Sequence, residues 1–327
     1  MIISKTPLRL TLGGGGTDLP SYCSKHGGFV VTSALDRYVY VVVKPKFEKK
    51  IRVGYSITEI VDSVDELKHP VVREALRLLE LDCPIEIVSI ADMPAETGLG
   101  SSGSFTVGLL HALHAFKDEH PSRQKLAEEA SHLEMEVLKE PCGVQDSYMA
   151  AFGSFICLDI SKNGNVGVSP LKIEDDIAHD LEDNLMFFYT GIKRRASLIL
   201  EAQAKSIEKD NPKSLGAMHR IKEIGLKVKH ALERGDLTEF GRLQHEHWMA
   251  KRSTSSVISS NIIDKWYARA LKNGATGGKI LGAGGGGFLM LYCENGKAKV
   301  RKSMAQCGLR EVRFGFEPEG SKIAVNI

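Results

Sequence analysis

The chain has 327 residues, 43% of them hydrophobic, which is enough apolar material for a packed core in one large domain or in two. Its 43 Lys and Arg residues balance 41 Asp and Glu residues, so the formal net charge is +2. This balance gives no general positive field for nucleic acid or for an acidic membrane surface. We therefore expect no nucleic acid partner, and any binding of anions must be local.

The six cysteines are scattered along the chain, with no Cys-x-x-Cys pair and no histidine at zinc-finger spacing. This pattern favours free thiols in a reducing compartment. The first residues lack the apolar core of a secretory signal, and no apolar run approaches the roughly 18 residues that a membrane helix needs. The expectation is a cytoplasmic protein without a membrane partner.

Residues 2–12 have the pattern of a strand and lead into the run Gly13-Gly-Gly-Gly-Thr-Asp18. Four successive glycines fit a flexible hinge. They also fit a ligand loop, because a loop without side chains lets a ligand approach closely while its flanking charges, here Arg9 and Asp18, point inward.

Strand patterns dominate the chain up to residue 90. Two β-branched and aromatic runs separated by Asp36 and Arg37 predict a hairpin. The elements predicted in this part are strands at residues 29–35, 38–44, 51–55 and 84–90 and a helix at residues 70–79.

The run Pro94-Ala-Glu-Thr-Gly-Leu-Gly-Ser-Ser-Gly-Ser104 comes next, followed by an apolar helical run at residues 105–116. Glycines at a helix start can form a phosphate cradle, since the backbone comes close to the anion and free N–H groups point at it. The serines can cap the helix, contact a phosphate or bind a metal. The absence of a Lys after the last glycine excludes a Walker A motif, and the Gly-x-Gly-x-x-Gly match from Gly98 to Gly103 lacks the strand context of a dinucleotide site. A merely structural turn is the remaining alternative.

Residues 122–139 predict a charged amphipathic helix that carries Glu134. A break with Pro and Gly then precedes Asp146. Taken alone, Asp146 also fits the N-cap of a helix. A strand is predicted at residues 154–160.

The polar stretch 173–183 predicts a boundary between a first domain at residues 1–180 and a second at residues 181–327. After a buried strand, the run Lys193-Arg-Arg195 is expected to start a helix, where cations oppose the helix dipole. Three adjacent cations are more often a solvated surface than a site. They would nevertheless suit a substrate that carries a phosphate.

Helical periodicity from residue 213 to residue 251 includes His245 and His247, which lack the spacing of a helical zinc pair and are interpreted as structural. The run Lys279-Ile-Leu-Gly-Ala-Gly-Gly-Gly-Gly-Phe288 has five glycines within six positions. A simple turn needs one or two, so we predict close contact of this run with another backbone or with a ligand.

The segment from Pro94 to Ser102, Pro-x-x-x-Gly-Leu-Gly-Ser-Ser, is similar to the nucleotide loop of the superfamily of galactokinase, homoserine kinase, mevalonate kinase and phosphomevalonate kinase, called GHMP. The three glycine runs also follow that family's order. The resemblance implies an α+β fold with two domains, the first like the second domain of ribosomal protein S5 and the second ferredoxin-like. ATP, Mg²⁺ and a small substrate would meet between them.

The resemblance also implies roles for the matching residues. Asp146 would be the catalytic base, with Arg9 beside it, and Ser102 and Glu134 would bind Mg²⁺. The residues expected at the ATP phosphates are Gly98, Leu99, Gly100, Ser101, Ser102, Gly103 and Ser104. The residues expected at the substrate are Arg9, Gly15, Gly16, Thr17, Asp18, Asp146, Lys193, Arg194 and Gly285. Galactokinases carry Glu-His where this chain has Gly15 and Gly16, so galactose is not the expected substrate.

Within the superfamily, the Gly-Gly-Gly-Thr-Asp18 loop, the segment from Thr190 to Leu200 and the phrase Trp248-Met-Ala-Lys251 resemble the heptose 7-phosphate kinase group. The resemblance implies phosphate transfer from ATP to the C1 hydroxyl of a sugar phosphate. The alternatives are a C1 kinase of an unphosphorylated sugar such as fucose, a ligand sensor without catalysis and, third, a dehydrogenase. The protein is expected to act alone or as a homodimer, and no role is assigned to Trp248 or Lys251.

Overall fold

The computed structural model describes residues 1–208, 211–255 and 257–327. Its strands are β1 (Ile2–Gly13), β2 (Gly28–Pro45), β3 (Ile51–Gly54), β4 (Thr58–Val61), β5 (Ile85–Ala91), β6 (Phe155–Ile160), β7 (Val166–Pro170), β8 (Leu185–Tyr189), β9 (Gly277–Ile280), β10 (Phe288–Tyr292), β11 (Arg310–Val312) and β12 (Lys322–Asn326). Its α-helices are α1 (Pro20–His26), α2 (Pro70–Leu78), α3 (Ser101–Phe116), α4 (Arg123–His132), α5 (Gln145–Phe152), α6 (Asp175–Asn184), α7 (Ala196–Glu208), α8 (Pro212–Glu233), α9 (Leu237–Thr254), α10 (Asn261–Lys272) and α11 (Lys297–Ala305). None of the helices in these ranges is both long enough and apolar enough to cross a lipid bilayer.

The first sheet has the strand order β12-β1-β2-β5-β3-β4, and β6 pairs with β2 and with β7. Its pairs are antiparallel except β3 with β5, which is parallel. The last strand, β12, lies against the first, with Ile2 opposite Asn326 and Lys5 opposite Lys322. The α+β class expected from the sequence is confirmed.

The predicted hairpin at Asp36 and Arg37 is wrong, because β2 is one continuous strand of 18 residues. Its first half pairs with β6 and its second half with β5, while β1 runs along both halves. The pairing with β1 shifts at Asp36, since Leu8 lies opposite Leu35 and Pro7 opposite Tyr38. The backbone N–H of Asp36 donates to the carbonyl of Gly315 at 2.9 Å. The two polar residues therefore occupy a bulge that long-range contacts support, and not a turn.

The second sheet has the order β11-β8-β10-β9, and all of its pairs are antiparallel. Successive residues of a strand point to opposite faces of its sheet. On β8, Phe187 packs into the core of the first sheet, and its neighbours Met186 and Phe188 pack into a second core with Trp248. The strand β10 alternates in the same way. Both strands are therefore buried on both faces and join the two cores.

Two boundaries differ from the sequence pattern. The polar stretch expected as a domain boundary forms the helix α6, and the helix expected to begin at Lys193 begins at Ala196. The two sheets divide the chain between β7 and β8, but β12 returns to the first sheet. A domain division at residue 180 stays a prediction.

Candidate active site

The central glycine run leads into α3. Gly100 is its N-cap, with a φ of 73°, a left-handed conformation that glycine adopts without steric cost. The carbonyl of Gly100 accepts the backbone N–H of Ser104 at 3.0 Å, which closes the first turn. The first N–H groups of a helix have no partner within it, and they carry the positive end of the helix dipole. The turn from Ser101 to Gly103 therefore presents backbone donors suited to an anion.

A bidentate ion pair between Arg9 and Asp146 lies beside this turn. Nε of Arg9 donates to Oδ1 of Asp146 at 2.7 Å, and Nη2 donates to Oδ2 at 3.2 Å. Nη1 of Arg9 also donates to the carbonyl of Gly98 at 2.6 Å, and the backbone N–H of Arg9 donates to Leu99 at 2.9 Å. The Arg9 side chain is 7% exposed and that of Asp146 is 27% exposed. The pair therefore fixes one carboxylate at the edge of the glycine loop and leaves part of it accessible.

Asp18 lies deeper, at the end of the first glycine run. One of its oxygens accepts the backbone N–H of Gly16 at 3.1 Å, and the other accepts that of Gln145 at 3.1 Å. Burial raises the pKa of Asp18, the Gln145 N–H opposes this rise, and nearby Asp146 adds to it. The carboxyl group ties the first glycine run to the start of α5, next to Asp146.

Glu134 lies behind the glycine loop on a π-helical turn, Leu133–Val137, that continues α4. Its carboxylate accepts the hydroxyls of Thr106 at 2.9 Å, Ser102 at 3.2 Å and Ser147 at 3.4 Å. Burial raises its pKa to about 7, the hydroxyl of Thr106 opposes this rise, and the charge of Asp146 adds to it. A buried carboxyl group surrounded only by hydroxyls is therefore available to a cation.

A cation site here would be incomplete without a ligand. Among the described residues, no group of three His, Cys, Asp or Glu side chains could hold a metal ion by itself. Mg²⁺ usually takes one or two protein carboxylates and completes its shell with water and with substrate phosphates. The oxygen donors of Glu134 and Ser102, next to an anion-binding turn, fit this ion.

The second and third glycine runs touch backbone to backbone. A Cβ on Gly98 would lie 2.6 Å from the Leu281 carbonyl oxygen, and one on Gly282 would lie 2.6 Å from the Gly98 Cα. A Cβ on Gly287 would lie 2.3 Å from the Thr97 carbonyl oxygen. The predicted close contact of the third glycine run is confirmed. Its function here is to pack the second sheet against the phosphate-binding loop.

These elements surround a cavity of about 480 Å³. Nine of the predicted residues line it, namely Arg9, Gly15, Gly16, Asp18, Gly98, Gly100, Ser101, Ser102 and Asp146. A separate apolar part of the wall consists of Val39, Val71, Ala91, Met93 and Phe105, with His69 and Ser89 beside them. One cavity thus has an apolar end, an anion-binding turn and two acids, the buried Asp18 and the partly exposed Asp146.

Several predicted contact residues lie elsewhere. The Thr17 hydroxyl is fully buried among backbone groups, 2.7 Å from the Gly14 carbonyl oxygen, and the Ser104 hydroxyl donates to the Pro7 carbonyl at 2.7 Å. Leu99 is buried, and Gly103 packs against Asp146. These four therefore shape the loops and do not face the cavity.

The basic run and Gly285 also lie outside the cavity wall. Lys193 and Arg194 are exposed, and Arg194 lines only a small neighbouring pocket of about 30 Å³. Gly285 donates its backbone N–H to Ile258 at 2.8 Å. Lys193, Arg194 and Gly285 do not line the main cavity in this structure, because α7 begins after the basic run and turns other residues inward. Their contact with the substrate stays a prediction.

Sequence reasoning missed the cations that do line the cavity. Lys251 of α9 donates to the carbonyl of Gly282, and Lys279 of β9 donates to that of Leu12 at 3.0 Å. His247, one turn before Lys251, also lines the cavity. The segment Trp248-Met-Ala-Lys251 drew attention to Lys251 through its resemblance to the heptose kinase group, but it did not indicate what Lys251 does. Lys279, directly before the third glycine run, gave none, because an isolated Lys in a strand has no distinctive pattern.

Comparison with known proteins agrees with this arrangement. The family model for the GHMP kinases N terminal domain matches residues 69–154, and that for GHMP kinases C terminal matches residues 228–308. The chain is 31% identical to the D-glycero-alpha-D-manno-heptose 7-phosphate kinase of Campylobacter jejuni over 98% of each protein. It is 26% identical to the L-fucokinase/L-fucose-1-P guanylyltransferase of Bacteroides fragilis, over 92% of this chain and 35% of that protein.

Solved structures of other proteins share this fold. A D-glycero-D-manno-heptose 1-phosphate kinase from Bacteroides thetaiotaomicron superposes with a TM-score of 0.82, at 25% identity over the whole of both chains. A galactokinase from Lactococcus lactis superposes with a TM-score of 0.77 over 98% of this chain, at 17% identity, and so shares the fold. The glycine runs, the two-domain fold and the family matches agree, and the chain belongs to the GHMP kinase family of enzymes.

Proposed function

We propose that the protein is a sugar kinase that transfers the γ-phosphate of ATP to the C1 hydroxyl of a sugar phosphate, D-glycero-D-manno-heptose 7-phosphate. The observation that carries this proposal is the placement of the Arg9–Asp146 pair between the anion-binding turn of α3 and the Asp18 loop. The similarity over nearly the full chain to a heptose 7-phosphate kinase supports the choice of sugar.

The nucleotide would occupy the end of the cavity nearest α3. The apolar wall with Val39, Met93 and Phe105 suits a purine base, which buries its faces against apolar side chains. The backbone N–H groups of Ser101 and Ser102 would receive the phosphates. With the nucleotide bound in this way, the γ-phosphate would lie near Asp146, where transfer would take place.

Asp146 would act as the base. It accepts the proton of the C1 hydroxyl as that oxygen forms its bond to the γ-phosphorus and the bond from phosphorus to the bridging oxygen of ADP breaks. Arg9 holds the carboxylate by two hydrogen bonds, which fixes its direction. An anomeric hydroxyl is more acidic than an ordinary alcohol, so a carboxylate is a sufficient base.

Glu134 and Ser102 would hold the Mg²⁺ that accompanies ATP. When bound, this ion neutralises charge on the phosphate oxygens. The chain's own contribution is a carboxylate fixed by Thr106 and Ser147 from two other helix positions. These second contacts keep Glu134 aimed at the loop.

Replacing Glu134 with Gln tests this assignment. The amide keeps the shape but loses the charge, so we expect the affinity for ATP measured with Mg²⁺ to fall by roughly ten- to a hundredfold. Affinity measured in EDTA should stay the same, and stability should not fall, because a neutral group suits a buried position.

Isothermal titration with and without Mg²⁺ measures both affinities. Ser147→Ala is the comparison variant, since it removes one of the hydroxyls that aim the same carboxylate but leaves the carboxylate's charge in place. An unchanged Mg²⁺ dependence in Glu134→Gln would remove Glu134 from the metal site.

Two other functions remain as alternatives to the proposal. The similarity to a fucokinase supports a C1 kinase of an unphosphorylated sugar. A ligand sensor without catalysis would keep the cavity but would not need the accessible carboxylate of Asp146. A cytoplasmic location and a homodimer belong to the same proposal and rest on the sequence alone.

The deciding experiment measures ATP consumption with D-glycero-D-manno-heptose 7-phosphate, free D-glycero-D-manno-heptose and fucose, each with Mg²⁺. Turnover of the heptose phosphate, with its new phosphate placed on C1 by ³¹P NMR, is the expected result. If a free sugar is turned over in preference, the protein is still a sugar kinase, but the proposed heptose phosphate substrate is rejected. ATP binding without turnover of any sugar would favour the ligand sensor.

A further inference from the structure

Two buried lysines line the cavity, and neither has an acidic partner among the described residues. Lys251 is 9% exposed and Lys279 is 2% exposed, and among the residues described neither forms an ion pair. Each ammonium group donates to a backbone carbonyl, of Gly282 and Leu12 respectively. Both side chains nevertheless line the cavity.

His247 completes this group. It is 2% exposed, and neither of its ring nitrogens has a hydrogen-bond partner within residues 1–208, 211–255 and 257–327. It lies four residues before Lys251 on α9, so the two side chains share a helix face. Buried polar groups normally have partners, and an exception on a cavity wall indicates a missing one. In the part of the chain that the structure describes, the two ammonium groups thus have backbone carbonyls but no acidic partner, and the His247 ring has no hydrogen-bond partner.

Holding these cations together costs free energy. Burial and the charge of Arg9 lower the pKa of Lys251 to about 7. Burial, Lys251 and Arg9 lower the pKa of Lys279 well below its ordinary value. An uncompensated buried charge is strongly unfavourable, whereas an anion placed among such groups gains charge-assisted hydrogen bonds.

We propose that Lys251, Lys279 and His247 form the subsite for the phosphate that the sugar substrate already carries. This inference rests on the proposed function and specifies its substrate contact. It replaces the exposed basic run at Lys193 and Arg194, which does not reach the main cavity.

The position of the subsite fits a substrate better than ATP. Lys279 is bonded to Leu12, directly before the first glycine run that ends at Asp18. Leu12 is three residues beyond Arg9 on β1, which is about 10 Å along a strand. A sugar whose C1 lies at Asp146 could therefore reach the two lysines with a phosphate at its other end. The ATP phosphates belong at the α3 turn instead.

The test uses Lys251→Met and Lys279→Met, with Arg194→Met as the rival and Lys213→Met, an exposed lysine, as the control. Isothermal titration measures the affinity for heptose 7-phosphate, for free heptose and for ATP. We expect each of the two cavity variants to bind heptose 7-phosphate roughly ten- to a hundredfold more weakly. Their affinities for free heptose and for ATP should not change. Folding should be retained, because the carbonyl of Leu12 keeps its hydrogen bond from Gln244 at 2.8 Å.

Three results would overturn the subsite. One is unchanged affinity for heptose 7-phosphate in both cavity variants. Another is a larger loss in Arg194→Met. The third is an equal fall in kcat with free and phosphorylated sugars at unchanged affinity, which would assign the lysines to phosphoryl transfer.

A failure of the proposed function gives a different result. If the wild-type protein turns over no sugar, inorganic phosphate is used as the probe. A rise in melting temperature with phosphate in the wild-type protein that is absent in Lys279→Met would support the anion subsite. The same rise in both proteins would overturn it.

Discussion

Asp146→Asn is expected to lower kcat by roughly a hundred- to ten-thousandfold, which is the range that a positioned base contributes. Asparagine has nearly the same shape and can accept one of the two hydrogen bonds from Arg9, but it cannot take up the proton of the sugar hydroxyl. The affinity for ATP should change little, because the donors for its phosphates belong to α3. Steady-state kinetics and ATP titration measure the two effects.

A change at Asp146 also disturbs the hydrogen bonds of Arg9. The loss of the base must therefore be separated from the loss of the contact that positions it. Arg9→Lys keeps the positive charge but loses the bidentate contact, which joins two nitrogens to two oxygens at 2.7 and 3.2 Å. We expect a smaller fall in kcat in this variant than in Asp146→Asn. A loss below tenfold in Asp146→Asn would contradict the role of base and leave positioning as the main source of rate.

Gly100→Ala is expected to lower kcat/KM by about a hundredfold through a collision. The added Cβ would lie 2.7 Å from Cγ of Arg9 and 3.2 Å from Cγ of Asp146, so the ion pair must move. Misplacing a catalytic group by about 1 Å can cost about a hundredfold in rate. The φ of 73° at this position also makes alanine unfavourable, by about 1 kcal/mol.

Gly164→Ala is the control for Gly100→Ala, because it introduces the backbone strain of a positive φ without a steric collision. Gly164 has a φ of 87° in an exposed turn, and no atom lies within 4 Å of a Cβ placed on it. Urea unfolding should show a loss of about 1 kcal/mol in Gly164→Ala from strain alone, and a larger loss in Gly100→Ala, where the collision adds to the strain. Only Gly100→Ala should lose activity. Equal activity in the two would mean that the Arg9–Asp146 pair tolerates displacement.

The kinase family and the fold class were predictable because local sequence determines them. A glycine run before an apolar helix has few structural uses, and Arg9, Asp18 and Asp146 stood at family positions. The structure brings these three side chains to one cavity. Their roles, and those of Ser102 and Glu134, stay predictions until variants are measured.

Other features depended on contacts that the sequence does not display. Asp36 and Arg37 have the composition of a turn, but long-range pairing with β1 and Gly315 keeps β2 continuous. Lys279 has the pattern of an ordinary strand residue, and only the folded structure, in which it lines the cavity and bonds to Leu12 of β1, makes it part of the site. The basic run around Arg194 shows the opposite case. Its clustered charge is easy to recognise in the sequence, but the sequence does not show whether that charge reaches a cavity.

The pairing of β12 with β1 has a consequence for synthesis on the ribosome. The strand that carries Arg9 is made long before its neighbour, Lys322–Asn326, because nearly the whole of the two sheets lies between them in the chain. At usual elongation rates this delay is roughly 15 to 60 s. During it, one edge of the nascent sheet has no partner and is open to pairing with other chains. Binding by a chaperone at this edge would protect the unfinished enzyme until β12 pairs with β1.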